Sequence, residues 1–84
     1  MSISVSMTSY NGVQYIIRQL NSILEQLGEN DEVIIIDDCS SDGTIEVLKR
    51  LDDPRIKIYI NDRNRGHVFS FNRSISLAKN EFIF

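Results

Sequence analysis

The chain has 84 residues, 42% of them apolar and 25% charged, with a net charge of −3. That length allows one small domain or part of a larger one, and the composition excludes a disordered chain. The acidic balance, with no Lys/Arg-rich run, excludes a nucleic-acid partner, and no apolar stretch approaches the ~20 residues of a transmembrane segment. The opening MSISVSMTSY has no basic region, so a secretory signal is not expected. Cys39 is the single cysteine; it cannot close an intrachain disulfide, which suits a reducing compartment. With one histidine in the chain, Cys39 is expected to be a small, half-buried loop residue rather than a metal ligand or nucleophile.

Residues 3–8, ISVSMT, alternate apolar and small polar side chains and predict a strand. SYNG then breaks the pattern with turn residues. From Val13 the period changes: Val13, Ile16, Ile17, Leu20, Ile23, Leu24 and Leu27 recur at helical spacing and predict a helix over 13–27. Gly28 is placed to close it in the left-handed conformation.

Residues 32–37, EVIIID, form an unbroken β-branched run, expected of a strand covered on both faces in a parallel sheet. That run ends in Asp37 and Asp38. Adjacent carboxylates repel, and burying either is costly without a partner. Water must solvate them at a strand tip, or a ligand or cation must require them there. In the following SSDG, Ser41 or Asp42 can accept from free N–H groups at a helix start, with capping the expected role of Asp42.

Residues 44–51 read as a helix with Ile45, Leu48 and Leu51 inward, ended by DDPR because Pro54 disfavours helix in the residue before it. Residues 56–60 are a third strand, and NDRNRG a polar loop. Val68, Phe71, Asn72, Ile75 and Ala78 are expected to line the packed face of a third helix, with Tyr15, Phe69 and Phe71 in the core and His67 an exposed or capping residue. Residues 82–84 begin a fourth strand. An apolar strand at that position is expected of the front part of a longer protein.

The order β-α-β-α-β-α-β predicts an α/β fold, a Rossmann-like parallel sheet whose ligand lies beyond the carboxyl ends of the strands. The loops TSYNG, DDCSSDG and NDRNRG meet there. NAD binding is disfavoured, because the first of these carries one glycine and a bulky Tyr10 where backbone must approach a pyrophosphate. No P-loop occurs. A phosphoacceptor domain would hold its acid pair after the first strand, not the second.

Several motifs in order are similar to the inverting family 2 glycosyltransferases of GT-A fold. They are Thr8-Ser9-Tyr10-Asn11; then Tyr15, Leu20, Ser22, Ile23, Leu24 and Gln26; then Glu32 and Asp37-Asp38-Cys39-Ser40-Ser41-Asp42-Gly43-Thr44. Asn64-x-Gly66 and Ala78-Lys79-Asn80-Glu81-Phe82-Ile83 follow. The resemblance spans essentially the whole chain and makes it the N-terminal, nucleotide-binding part of such a domain over 1–84. Phe71-Asn72 with Asn64-x-Gly66 further resembles bacterial rhamnosyl- and galactosyltransferases that build surface polysaccharide.

The resemblance implies a nucleotide-binding set of Thr8, Tyr10, Asn11, Asp37, Asp38 and Gly66. Tyr10 stacks on the base above Thr8, and Asp38 accepts from the N3–H of uracil or thymine. Asp37 supports the loop or ribose, and Gly66 lets backbone pass close to the nucleotide. The donor is then a UDP- or dTDP-sugar and the acceptor a saccharide or lipid-linked saccharide, in the cytoplasm or at the inner face of the membrane. The bland rivals are that Tyr10 packs over the sheet edge and that Asp38 only accepts from loop N–H groups.

In the family, metal-binding acids (for Mn2+ or Mg2+) and the catalytic base lie further along, so this chain is expected to hold no catalytic or metal residue and to be inactive alone. One departure concerns phosphate contact: many members of the family carry Ala-Arg-Asn where this chain has Ser70-Phe71-Asn72, and Arg73 would face elsewhere. The alternative is a non-catalytic nucleotide-binding or assembly module, with a second copy pairing along the exposed fourth strand.

Overall fold

The computed structural model describes residues 2–80 and the backbone of 82–83. The elements are β1 (Ile3–Ser9), α1 (Ile16–Leu24), β2 (Glu32–Asp37), α2 (Thr44–Lys49), β3 (Ile56–Ile60), α3 (His67–Leu77) and β4 (Phe82–Ile83). Their strands form one parallel sheet in the order β3-β2-β1-β4. Residue 84 of the expected fourth strand lies outside the described residues.

The order explains the layers. The first two connections step outward from β1, and the third returns past it to β4. Right-handed crossovers in opposite directions place α1 and α2 on one face and α3 on the other. On the first face Met7, Val33 and Ile35 form one buried cluster with Ile16, Leu20 and Leu48. Strand alternation turns Ile34 and Ile36 toward the α3 face, and both are buried. β2 is thus covered on both sides, as its β-branched run requires.

α3 does not pack through the face expected from its apolar residues. Ser70 and Ser74 are fully buried, while Val68, Phe69, Phe71 and Ile75 are exposed. The reason lies in β1, whose alternation offers α3 only Ser4, Ser6 and Thr8. Small side chains meet small ones, and the bulky residues are left on the outer sides of the helix.

Other boundaries differ from the sequence reading. α1 is shorter than 13–27 because Val13 to Tyr15 form a turn: the Gly12 carbonyl accepts from the N–H groups of Tyr15 and Ile16 at 3.1 and 2.9 Å. The Tyr15 ring lies over this turn, exposed rather than in the core; a Cβ at Gly12 would sit 3.1 Å from it. The left-handed glycines are Gly43 (φ 97°) and Gly66 (φ 90°), not Gly28. The Gly28 N–H instead donates to Asp31 Oδ2 at 2.7 Å. α2 stops at Lys49 because Arg50 and Leu51 close with tighter bonds to the carbonyls of Val47 and Leu48. Cys39 is exposed, with φ 61°.

At the amino ends of the strands, buried Glu32 ties β1 to the approach to β4. Its Oε2 accepts from Ser4 Oγ at 2.6 Å and from the Lys79 N–H at 2.7 Å.

Candidate functional site

The carboxyl ends of β1, β2 and β3 lie level, with Ser9, Asp37 and Ile60 in register. The ladder continues one residue further: the Asp38 N–H donates to the Ser9 carbonyl at 2.9 Å and the Asn61 N–H to the Asp37 carbonyl at 2.8 Å. Because the chain is still extended, Asp37 and Asp38 point to opposite faces of the sheet. This resolves the problem of adjacent carboxylates, since each has its own set of donors.

Asp37 faces the α1/α2 side and is fully buried. Ser9 Oγ donates to its Oδ1 at 2.7 Å, Ser40 Oγ to the same oxygen at 2.7 Å, and the Ser40 N–H to Oδ2 at 2.8 Å. Ser40 Oγ in turn accepts from the Asn11 N–H at 2.9 Å, and Asn11 Oδ1 accepts from the Ser41 N–H at 2.8 Å. Two further bonds join the same loops, from the Gly12 N–H to Thr44 Oγ1 at 3.0 Å and from the Val13 N–H to Asp42 Oδ2 at 3.2 Å. Asp42 also accepts from the N–H and the hydroxyl of Thr44 at the head of α2. Asn11 adopts φ 50°, which asparagine tolerates better than most residues. Asn11, Asp37 and Asp42 therefore fasten TSYNG to DDCSSDGT.

Asp38 faces the α3 side and is 6% exposed. Its Oδ1 accepts from Asn61 Nδ2 at 2.9 Å and the Arg65 N–H at 2.7 Å, and its Oδ2 from the Gly66 N–H at 2.9 Å. Burial pushes the carboxyl up, but the Arg65 N–H, the Asn61 amide and the Gly66 N–H together hold it below its ordinary value. A carboxylate has roughly four acceptor sites. With one donor on Oδ2, that oxygen retains an open position.

Asp38 forms part of the wall of a cleft of about 380 Å³, with Thr8, Ser9, Tyr10, Asn64, Gly66, His67 and Ser70 as the other lining residues. Ligand pockets run from about 300 to 1,000 Å³, so this space suits a base with its ribose better than a whole nucleotide sugar. Tyr10 is half exposed and lines the same cleft as Asp38. Of the residues singled out from sequence, Thr8, Tyr10, Asp38 and Gly66 meet here. Asn11 and Asp37 stand behind the wall.

His67 was expected only to be exposed or capping; its Nδ1 lies 3.1 Å from Thr8 Oγ1, at the cleft. Asn61 and Ser70 were not singled out. The Asn61 Nδ2 donates to Ser70 Oγ at 2.8 Å as well as to Asp38. A polar residue directly following β3, in line with Asp38, was the available signal for Asn61. Among the described residues no three His, Cys, Asp or Glu side chains converge as a metal site, and the acids nearest the cleft are engaged by protein donors. Nor is any helix among them long and apolar enough to cross a membrane.

The profile of Glycosyl transferase family 2 matches residues 4–84. The succinoglycan biosynthesis protein ExoO of Rhizobium meliloti is 37% identical over 75 residues, covering 89% of this chain and 22% of its own length. The UDP-Glc:alpha-D-GlcNAc-diphosphoundecaprenol beta-1,3-glucosyltransferase WfgD of Escherichia coli is 33% identical over 81 residues, covering 96% of this chain and 32% of its own. Among solved structures, S. aureus TarS 1-349 in complex with UDP superposes with a TM-score of 0.89 at 28% identity, over 100% of this chain and 26% of that one. The chain spans about a fifth to a third of the length of the curated relatives it matches.

Proposed function

This chain belongs to glycosyl transferase family 2, and we propose that it forms the donor-base half of a sugar-transferring active site. The reaction of the whole protein is transfer of a sugar from a nucleotide diphosphate donor to a saccharide or lipid-linked acceptor, with inversion. The observation that carries the reading is the Asp38 carboxylate, with one donor on Oδ2 against two on Oδ1, in the wall of a base-sized cleft that half-exposed Tyr10 also lines.

In this reading Tyr10 stacks on the base, and Asp38 Oδ2 accepts the N3–H of uracil or thymine. Cytosine presents an acceptor at that position, so the carboxylate repels it. Thr8 and Gly66 border the nucleotide, whereas Asn11 and Asp37 act through the loops they fasten. A uridine donor is supported by TarS, solved with UDP, and by WfgD, whose name specifies UDP-Glc. WfgD's diphosphoundecaprenol-linked acceptor supports a lipid-linked one here.

A divalent metal, which would neutralise the departing diphosphate, does not fit the described residues. Residues 1–84 are in this reading the N-terminal nucleotide-binding part of a longer domain, and the metal ligands and base lie beyond them. A second reading, an assembly module, has one observation in its favour: β4 lies at a sheet edge among the described residues.

An amide-resolved NMR titration of the chain with UDP, dTDP, GDP and NAD tests the proposal. Shifts at Thr8–Asn11 and Asp38–Ser41 are expected with UDP or dTDP alone, and not in Asp38→Ala. No shift at millimolar UDP or dTDP, or equal response to all four ligands, would contradict it.

A further inference from the structure

Arg73 lies outside the cleft, yet it reaches the group that holds Asp38. Its Nη1 donates to Asn61 Oδ1 at 2.8 Å, and its guanidinium carbon lies 5.6 Å from the centre of the Tyr59 ring, a cation–π arrangement. Ser70 and Arg73 are three residues apart on α3 and so share one side of the helix, which lets both reach Asn61.

The chemistry of these groups fixes the amide. Asn61 is 3% exposed, so water offers it little alternative. Arginine has donors and no acceptor, so the oxygen of Asn61 must face Arg73. The NH2 group is then directed at Asp38 Oδ1 and Ser70 Oγ, at 2.9 and 2.8 Å. With the amide turned over, its oxygen would face the Asp38 carboxylate and its NH2 the guanidinium, both repulsive.

We propose that Arg73 is a positioning residue for base recognition: by engaging the Asn61 oxygen it locks the amide toward Asp38 and holds the carboxylate with its free acceptor position at the cleft. The functional consequence rests on the nucleotide reading above; the lock itself does not. Arg73 thereby bears on the cleft without lining it.

The experiment uses the 84-residue chain, with Arg73→Met, which keeps an apolar stem and removes the donors, and Arg73→Lys, which restores a charged donor. Two readouts are taken by NMR: solvent exchange of the Asn61 side-chain NH2, and UDP affinity. In the wild type the Asn61 NH2 should exchange more slowly than that of exposed Asn72. Arg73→Met should lose this protection and bind UDP about 5- to 10-fold more weakly, a loss the size of one ordinary hydrogen bond, and Arg73→Lys should recover part of both.

An Asn61 NH2 as labile as that of Asn72 in the wild type overturns the lock, even if Arg73→Met fails to fold. So does an Arg73→Met chain with unchanged protection and UDP affinity. If the wild type does not bind UDP, the nucleotide reading fails, and the exchange of Asn61 alone decides the lock.

Discussion

The Gly66 N–H donates to Asp38 Oδ2 at 2.9 Å, so the tip of β2 and the head of α3 share one carboxylate. Gly66 makes this possible by adopting φ 90° and ψ 163° immediately before the helix. A negative group at a helix N-terminus is also favoured by the helix dipole.

Replacing Gly66 tests the strain directly. A Cβ there meets nothing within 4 Å, so Gly66→Ala has room but an unfavourable backbone. The expected cost is about 1–3 kcal/mol in urea unfolding. An unchanged midpoint would mean that the left-handed conformation is not required.

Asp38→Asn replaces an acceptor ringed by donors with a group that is half donor. Whichever way the amide turns, its NH2 meets the donors on one of the two oxygens. Destabilisation of about 1–3 kcal/mol is expected, together with loss of preference for UDP. Stability equal to wild type at neutral pH would remove the carboxylate from the account of this loop.

Acid sensitivity should come partly from Asp53, whose carboxyl the Arg55 side chain and N–H hold down to about 2. A depressed carboxyl contributes stability that is fully present above its ordinary value of 3.8 and is lost as pH falls toward about 2. Arg55 also donates to the carbonyls of Leu24 and Leu27, closing the end of α1. Asp53→Asn should be less stable than wild type above pH 4 and converge with it near pH 2 in thermal melts. Parallel curves across that range would contradict this origin.

Packing of α3 through its serines gives opposite results at two positions. Ser74 is fully buried, so Ser74→Leu should destabilise by about 1–3 kcal/mol through overpacking. Val68 is 72% exposed, so Val68→Ser should lie within about 0.5 kcal/mol of wild type. For comparison, Leu20→Ala on the opposite face should cost about 2–5 kcal/mol. A larger loss at Val68 than at Ser74 would restore the apolar-face arrangement.

Element order was legible because β-branched runs and helical periods are local signals, and Glu32–Asp37 and Ile56–Ile60 form strands over the residues the pattern indicated. The packed face of α3 was not, because it depends on what β1 offers across the sheet: Ser4, Ser6 and Thr8 accept a serine stripe, which no period within α3 reveals. At the site, the motif located Asp37 and Asp38, but their separate surroundings follow from strand alternation and from partners 23 to 28 residues away. The sequence reading passes over Asn61 and sets Arg73 aside as facing elsewhere for the same reason, since neither means anything until β3 and α3 are placed beside Asp38.

The most direct test is calorimetric titration of the chain with UDP and with CDP, which differ at N3 and the adjacent exocyclic group of the base. Binding of UDP alone, abolished by Asp38→Ala and weakened by Tyr10→Ala by about 1–3 kcal/mol, is the expected result. Equal affinity for UDP and CDP, or UDP binding indifferent to Asp38→Ala, would contradict base recognition by Asp38.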